Sequence, residues 1–114
     1  MSEVPRAPRR GELLSWAEEG RAVDRGLVLS LDAFNDRTGT ALLAEVEDDP
    51  RHQDNPFAVP IKTQGQTQYA LCHRLSTVAW RGQAVHIEPD AVPMSTVFEA
   101  LHRLEAIFGL RNPY

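Results

Sequence analysis

Hydrophobic and polar positions alternate in short runs through most of this 114-residue chain, and the period changes only near its end. Gly11-Glu-Leu-Leu-Ser-Trp16 predicts a first strand, and the polar segment 17–24 connects it to a second. Leu27-Val-Leu-Ser-Leu31, bounded by Gly26 and Asp32, is too short for a useful helix and suits a buried strand. Asp32–Asp36 can cap one short helical turn. Thr38-Gly-Thr40 marks a turn, and Thr40–Val46 forms a third strand that runs into Glu47-Asp-Asp49. Pro50–Pro56 (PRHQDNP) is loop chemistry. Phe57, Val59 and Ile61 alternate with polar or small neighbours, and Pro60 marks that strand as an edge. A polar turn around Gly65 leads to Tyr69–Cys72, then Leu75–Trp80, and after Arg81-Gly82 a last strand, Gln83–Ile87.

Beyond these strands, Met94, Val97, Leu101, Leu104 and Phe108 recur at helical spacing and share one face. Pro93 suits the first helical position and Gly109 the residue after the end. Glu99, His102, Arg103 and Glu105 occupy the opposite face. Residues 1–8 have almost nothing to bury and read as a flexible lead-in. Many short strands with turn residues between them, closed by one helix, indicate a mainly β, α+β chain built as a small compact sheet or barrel. One domain covers residues 1–114.

Composition adds limits to that picture. The chain is 42% hydrophobic and 25% charged, as expected of one globular domain, which at this size buries roughly two-thirds of its unfolded surface. A single cysteine, Cys72, excludes an intrachain disulfide and fits a reducing, cytoplasmic compartment. The apolar runs are too short to span a bilayer, and the charged N-terminus lacks the apolar segment of a secretory signal. Twelve Lys plus Arg against 16 Asp plus Glu leave a formal charge of −4, which disfavours non-specific grip on nucleic acid.

Several constellations have chemical potential. Glu45, Glu47, Asp48, Asp49 and Asp54, with His52 among them, are the residue types of a cation site. They lack the spacing of a calcium loop, so a solvated charged loop is the plainer reading and no metal is expected. Cys72 and His73 are adjacent on a strand and point to opposite faces, so they form no catalytic dyad; Cys72 is expected in the core. Trp16 and Trp80 can stack on bases but in a small barrel serve packing first.

Residues 8–110 carry, in order, five segments similar to those of one family. Pro8-Arg-Arg-Gly-Glu12, then Arg25 followed by Leu27-Val-Leu-Ser-Leu-Asp-Ala-Phe-Asn35, resemble the opening of the MazF/PemK toxin endoribonucleases. Asn55-Pro-Phe-Ala-Val-Pro60, Thr77-Val-Ala-Trp-Arg81 and Leu101-His-Arg-Leu-Glu-Ala-Ile-Phe-Gly-Leu110 resemble its later segments. The resemblance implies a compact SH3-like β-barrel with a C-terminal helix, usually a homodimer, that cuts single-stranded RNA without metal or other cofactor. A small MazE-like antitoxin would hold it inactive. The implied reaction is attack of a ribose 2′-hydroxyl on the adjacent phosphate, giving a 2′,3′-cyclic phosphate and a 5′-hydroxyl. That chemistry needs a base, an acid and a cation. Arg25 falls at the family's catalytic arginine and is the expected phosphate clamp. Glu47 aligns with the family's hydroxyl-bearing position and is the expected base, with His73 as the acid. Arg9, Arg10, Arg21, Arg74 and Arg81 are expected to line the RNA groove. The alternative is a degenerate or CcdB-like member that binds a protein target such as DNA gyrase.

The distribution of charge qualifies the −4. Residues 44–54 (AEVEDDPRHQD) hold five acids and one arginine and so account for the whole of it. The remainder is balanced, which permits RNA while placing an acidic segment next to the expected site.

Overall fold

The computed structural model describes residues 6–17 and 24–109. Six strands, β1 (Glu12–Trp16), β2 (Asp24–Val28), β3 (Ala41–Glu47), β4 (Ala58–Thr63), β5 (Gln66–Val78) and β6 (Val85–Ala91), pair antiparallel in the order β4-β5-β3-β2-β1-β6. Between them lie a short helix α1 (Asp32–Thr38) and a 3-10 turn (Pro50–Asp54), and helix α2 (Met94–Phe108) closes the chain. The sheet curls so that the β4–β5 hairpin reaches back to the far edge. There the Gln64 amide donates to the Asp90 carboxylate at 3.3 Å and the Arg25 guanidinium bridges Gln68 to Glu88. The barrel implied by the sequence is thus a curled half-barrel in which the β4–β5 hairpin is tied to edge strand β6 by these hydrogen bonds.

Alternation sorts the residues of each strand onto two faces. The pairs Leu13↔Leu27, Leu27↔Ala44 and Val46↔Ala70 put one set inside the curl. With Leu29, Val59, Ile61 and Cys72 they bury Val97 and Ala100 of α2. The other face carries Leu14, Trp16, Val28, Leu43, Val78 and Trp80 in a second cluster. Gly26 is a packing glycine on that face, because a Cβ there would stand 2.9 Å from Leu43 Cβ and 3.3 Å from the Ala44 carbonyl.

The segment Pro8-Arg-Arg-Gly-Glu12 is a knot of turn contacts. The Arg9 amide donates to Glu12 Oε1 at 2.6 Å, the Glu12 amide to the Arg9 carbonyl at 3.0 Å, and Arg6 forks onto the Glu12 carboxylate. Gly11 adopts φ +93°, which only glycine takes at little cost, and bonds Val28 and Val92 through its backbone. Arg10 Nε donates to the Leu29 carbonyl at 2.7 Å. Pro8 is fully buried and its carbonyl accepts from Asn35 Nδ2 at 2.8 Å, so ordered chain reaches into the segment read from sequence as lead-in. Asn35 is itself fully buried, and its own carbonyl receives the Trp80 indole N–H at 3.0 Å.

Several element boundaries differ from the sequence reading: the strand read at Leu27–Leu31 is β2 at Asp24–Val28, and the turn read at Asp32–Asp36 runs to Thr38 as α1. The two strands expected at 69–72 and 75–80 are one, β5, because a bulge absorbs the polar step: Leu71 pairs with Glu45 and Leu75 with Ala44. β6 runs to Ala91, beyond the predicted end at Ile87; as an edge strand it tolerates Pro89. In α2, Pro93 is the N-cap and Gly109, at φ +71°, the left-handed C-cap. Val97 and Ala100 are buried and Leu101 and Leu104 partly so, whereas Met94 and Phe108 of the predicted face stand in solvent.

Candidate active site around Arg25

Two residues before Leu27, on the same inner face, β2 presents Arg25. Its register partner on β1 is Ser15, and the register partner of Ser15 on β6 is His86. The row Arg25–Ser15–His86 therefore crosses three neighbouring strands on one face, with about 5 Å between adjacent strands. Glu88, two residues along β6 from His86, lies on the same face. Together with Gln64, Gln68 and Pro89 these residues line an open groove at the end of the core.

Arg25 is held by three acceptor atoms of two partners. Nε and Nη2 donate to the two Glu88 carboxylate oxygens at 2.9 and 2.8 Å, and Nη1 donates to Gln68 Oε1 at 2.6 Å. The Thr63 hydroxyl donates to the same Gln68 oxygen at 3.2 Å, which fixes the amide. The Arg25 hydrogen bond holds the Glu88 carboxyl below its ordinary pKa against the opposing effect of burial. Reciprocally, Glu88 raises the pKa of Arg25, with a further Coulombic contribution from Asp48. A paired fork of this kind is the arrangement in which a guanidinium receives two phosphate oxygens, with Glu88 standing where an anion would.

The sequence-derived residues fall in different places. Arg25 lies in the groove. Glu47 pairs with Tyr69 on the outer face, where its oxygens bind His52 Nε2 at 3.0 Å and Arg74 Nη1 at 2.9 Å. Strand alternation separates the two, since Glu47 follows Glu45, the register partner of Gly26, and Arg25 faces the other way. The acid near Arg25 on that side is Asp48, one residue further. Arg25 and Glu47 nonetheless share the lining of a small second depression with Asp24, Glu45 and Val46, whereas His73, on the β5 bulge with its ring 5.9 Å from that of Phe57, is not part of it.

The proposed RNA-contacting arginines also divide. Arg9 is exposed, and Arg10 is tied to Leu29. Arg74 is paired with Glu47 outside, and Arg81 covers the Trp80 ring at 5.0 Å while donating to the Asp36 carbonyl. Arg21 lies outside the described residues. Within the acidic segment, Arg51 and the Arg51 amide bring Asp49 down to a pKa of about 2. Among the described residues, no three His, Cys, Asp or Glu side chains gather as metal ligands. Burial raises the Cys72 thiol to about 11, which makes it a core residue rather than a nucleophile.

Ser15, Gln68, His86 and Glu88 went unrecognised in the sequence. Alternation within β1 and β2 does put Ser15 on the face of Leu13 and Arg25 on that of Leu27. The missing information was the pairing of the last strand with the first.

A curled antiparallel sheet with a C-terminal helix packed in its concave face is the fold of solved MazF structures. The solved MazE–MazF complex of Deinococcus radiodurans superposes with a TM-score of 0.77 at 24% identity, covering 92% of this chain and 99% of that one. An endoribonuclease from a mycobacterial species gives 0.73 at 18%, covering 94% and 96%. The mycobacterial endoribonuclease in complex with its cognate antitoxin gives 0.70 at 18%, covering 90% and 94%. No protein-family model and no curated protein matches the sequence.

Proposed function

We propose that this chain is the toxin of a toxin–antitoxin pair and an endoribonuclease that cuts single-stranded RNA through the neighbouring 2′-hydroxyl. The observation that carries this reading is Arg25, a guanidinium held in an open groove with its fork on a replaceable carboxylate. A backbone phosphate that displaces Glu88 takes over two charge-assisted hydrogen bonds. The same cation then stabilises the crowded, doubly charged phosphorane without a metal ion. The kinship of fold with MazF structures supports the reading, as do two solved complexes of such proteins with their antitoxins.

The partners follow from it. A MazE-like antitoxin covers the groove, and a second copy of the chain packs on α2, whose Phe98, Ile107 and Phe108 are left exposed. No described helix is long and apolar enough to cross a membrane. The test is incubation of the purified protein with a long single-stranded RNA in EDTA, followed by mapping of the new 5′ ends. Cleavage leaving 5′-hydroxyl termini, abolished in Arg25→Ala, is the expected result. RNA left whole overturns the proposal in favour of a protein target.

A further inference from the structure

We infer that β6 supplies the acid–base pair of this site, with Glu88 as the base for the 2′-hydroxyl and His86 as the acid for the leaving 5′-oxygen. The inference rests on the endoribonuclease reading above and assigns the proton transfers that it leaves open. Its basis is the placement of these two side chains on the same edge strand. They are two residues apart, on either side of Ile87, beyond which the register of β6 against β1 shifts. Both line the groove that holds Arg25, and Ser15 stands in the row between His86 and Arg25. That placement is suited to two groups working on opposite sides of one phosphorus. His86 is exposed, so its ring is free to meet a substrate.

The steps balance without a further reactant. When a phosphodiester takes the Arg25 fork, the Glu88 carboxylate is released beside it. The 2′-oxygen forms its bond to phosphorus as its proton passes to Glu88. The bond from phosphorus to the 5′-oxygen breaks, and the proton on the His86 imidazolium goes to that oxygen. The products are a 2′,3′-cyclic phosphate and a 5′-hydroxyl, and solvent returns the proton from Glu88 to His86. The charged and titratable groups facing this pair are Arg25 from β2, Asp48 from the end of β3 and Asp90 from β6. The hairpin opposite offers the neutral Gln64 and Gln68. Among the described residues that line the groove, Glu88 is the carboxylate and His86 the imidazole.

The experiment compares the full-length protein with Glu88→Gln and His86→Gln on two RNAs. One has the natural 5′-oxygen at the scissile bond, and the other has sulfur in its place, a leaving group that needs no acid. On natural RNA each variant should lose roughly 10²–10⁴-fold in rate. The sulfur substrate should restore His86→Gln to within a few-fold of the parent and leave Glu88→Gln slow. A parent that cleaves while His86→Gln cleaves equally well, or is not rescued by sulfur, overturns the assignment and leaves the endoribonuclease reading intact. Rescue of Glu88→Gln by sulfur overturns the role of that residue as base. A parent that cleaves neither RNA overturns both readings.

Discussion

A guanidinium binds a phosphate through geometry as much as charge, and at Arg25 both are already engaged by Glu88. Lysine in its place keeps the charge but offers a single point rather than a fork. Arg25→Lys is therefore expected to lower RNA cleavage roughly 10²–10³-fold with less effect on KM, as measured by single-turnover kinetics. Equal kinetics for the two would separate the fork from the chemistry. The same pair carries a pH signature in stability. Because Arg25 holds the Glu88 carboxyl below its unfolded value, the pair's contribution is present above that unfolded value and is lost as pH falls through the lowered folded one. Thermal midpoints of the parent and of Glu88→Gln, measured across pH, should differ at neutrality and converge in acid. A gap that widens in acid would contradict the assigned pairing.

At the scale of elements, the strand alternation is largely legible in the sequence, and the neighbour relations are not. Leu27 and Leu29 announce a buried strand by themselves. Glu88 falls after the expected end of β6 because Pro89 reads as a breaker until the strand is known to be an edge. The polar His73-Arg74 step reads as a break until a bulge is seen to absorb it. For α2, the 3.6-residue period identifies the helix and places Val97, but hydrophobicity alone cannot tell which turns lie over the sheet. Ala100, not a large residue, is fully buried against the sheet, and its carbonyl lies 3.6 Å from Cys72 Sγ. Ala100→Leu should destabilise by about 1–3 kcal/mol through overpacking. The exposed Phe108→Ser should change stability by less than about 0.5 kcal/mol in the monomer. Chemical denaturation of both variants checks the pair. A larger loss at Phe108 than at Ala100 would mean that the outer turn of α2 is covered.

Across the whole molecule, the placement of charge decides how RNA can be held. The net −4 of the sequence concentrates in residues 44–54, yet the structure pairs Glu47 with Arg74 and Asp49 with Arg51, so that segment repels less than its count suggests. The same pairs remove cations from the candidate groove. Arg74 is spent on the outer face, Arg10 and Arg81 brace the backbone, and Arg25 meets incoming phosphate only by giving up Glu88. Curling of the sheet thus yields a groove with one committed cation among the described residues, where a general RNA binder would present a row. Each phosphate neutralised on a single strand contributes about −0.7 to the slope of log K against log salt. Binding of an uncleavable RNA, carrying 2′-deoxyribose at the scissile position, should therefore show a shallow slope of about −0.7 to −1.4. Its affinity must come instead from contacts that salt does not weaken, such as bases against Trp16, Ala84 and Val85, which line the adjoining depression beyond His86. A slope steeper than about −3 would require several further arginines at the phosphates and would overturn this account of the charge distribution.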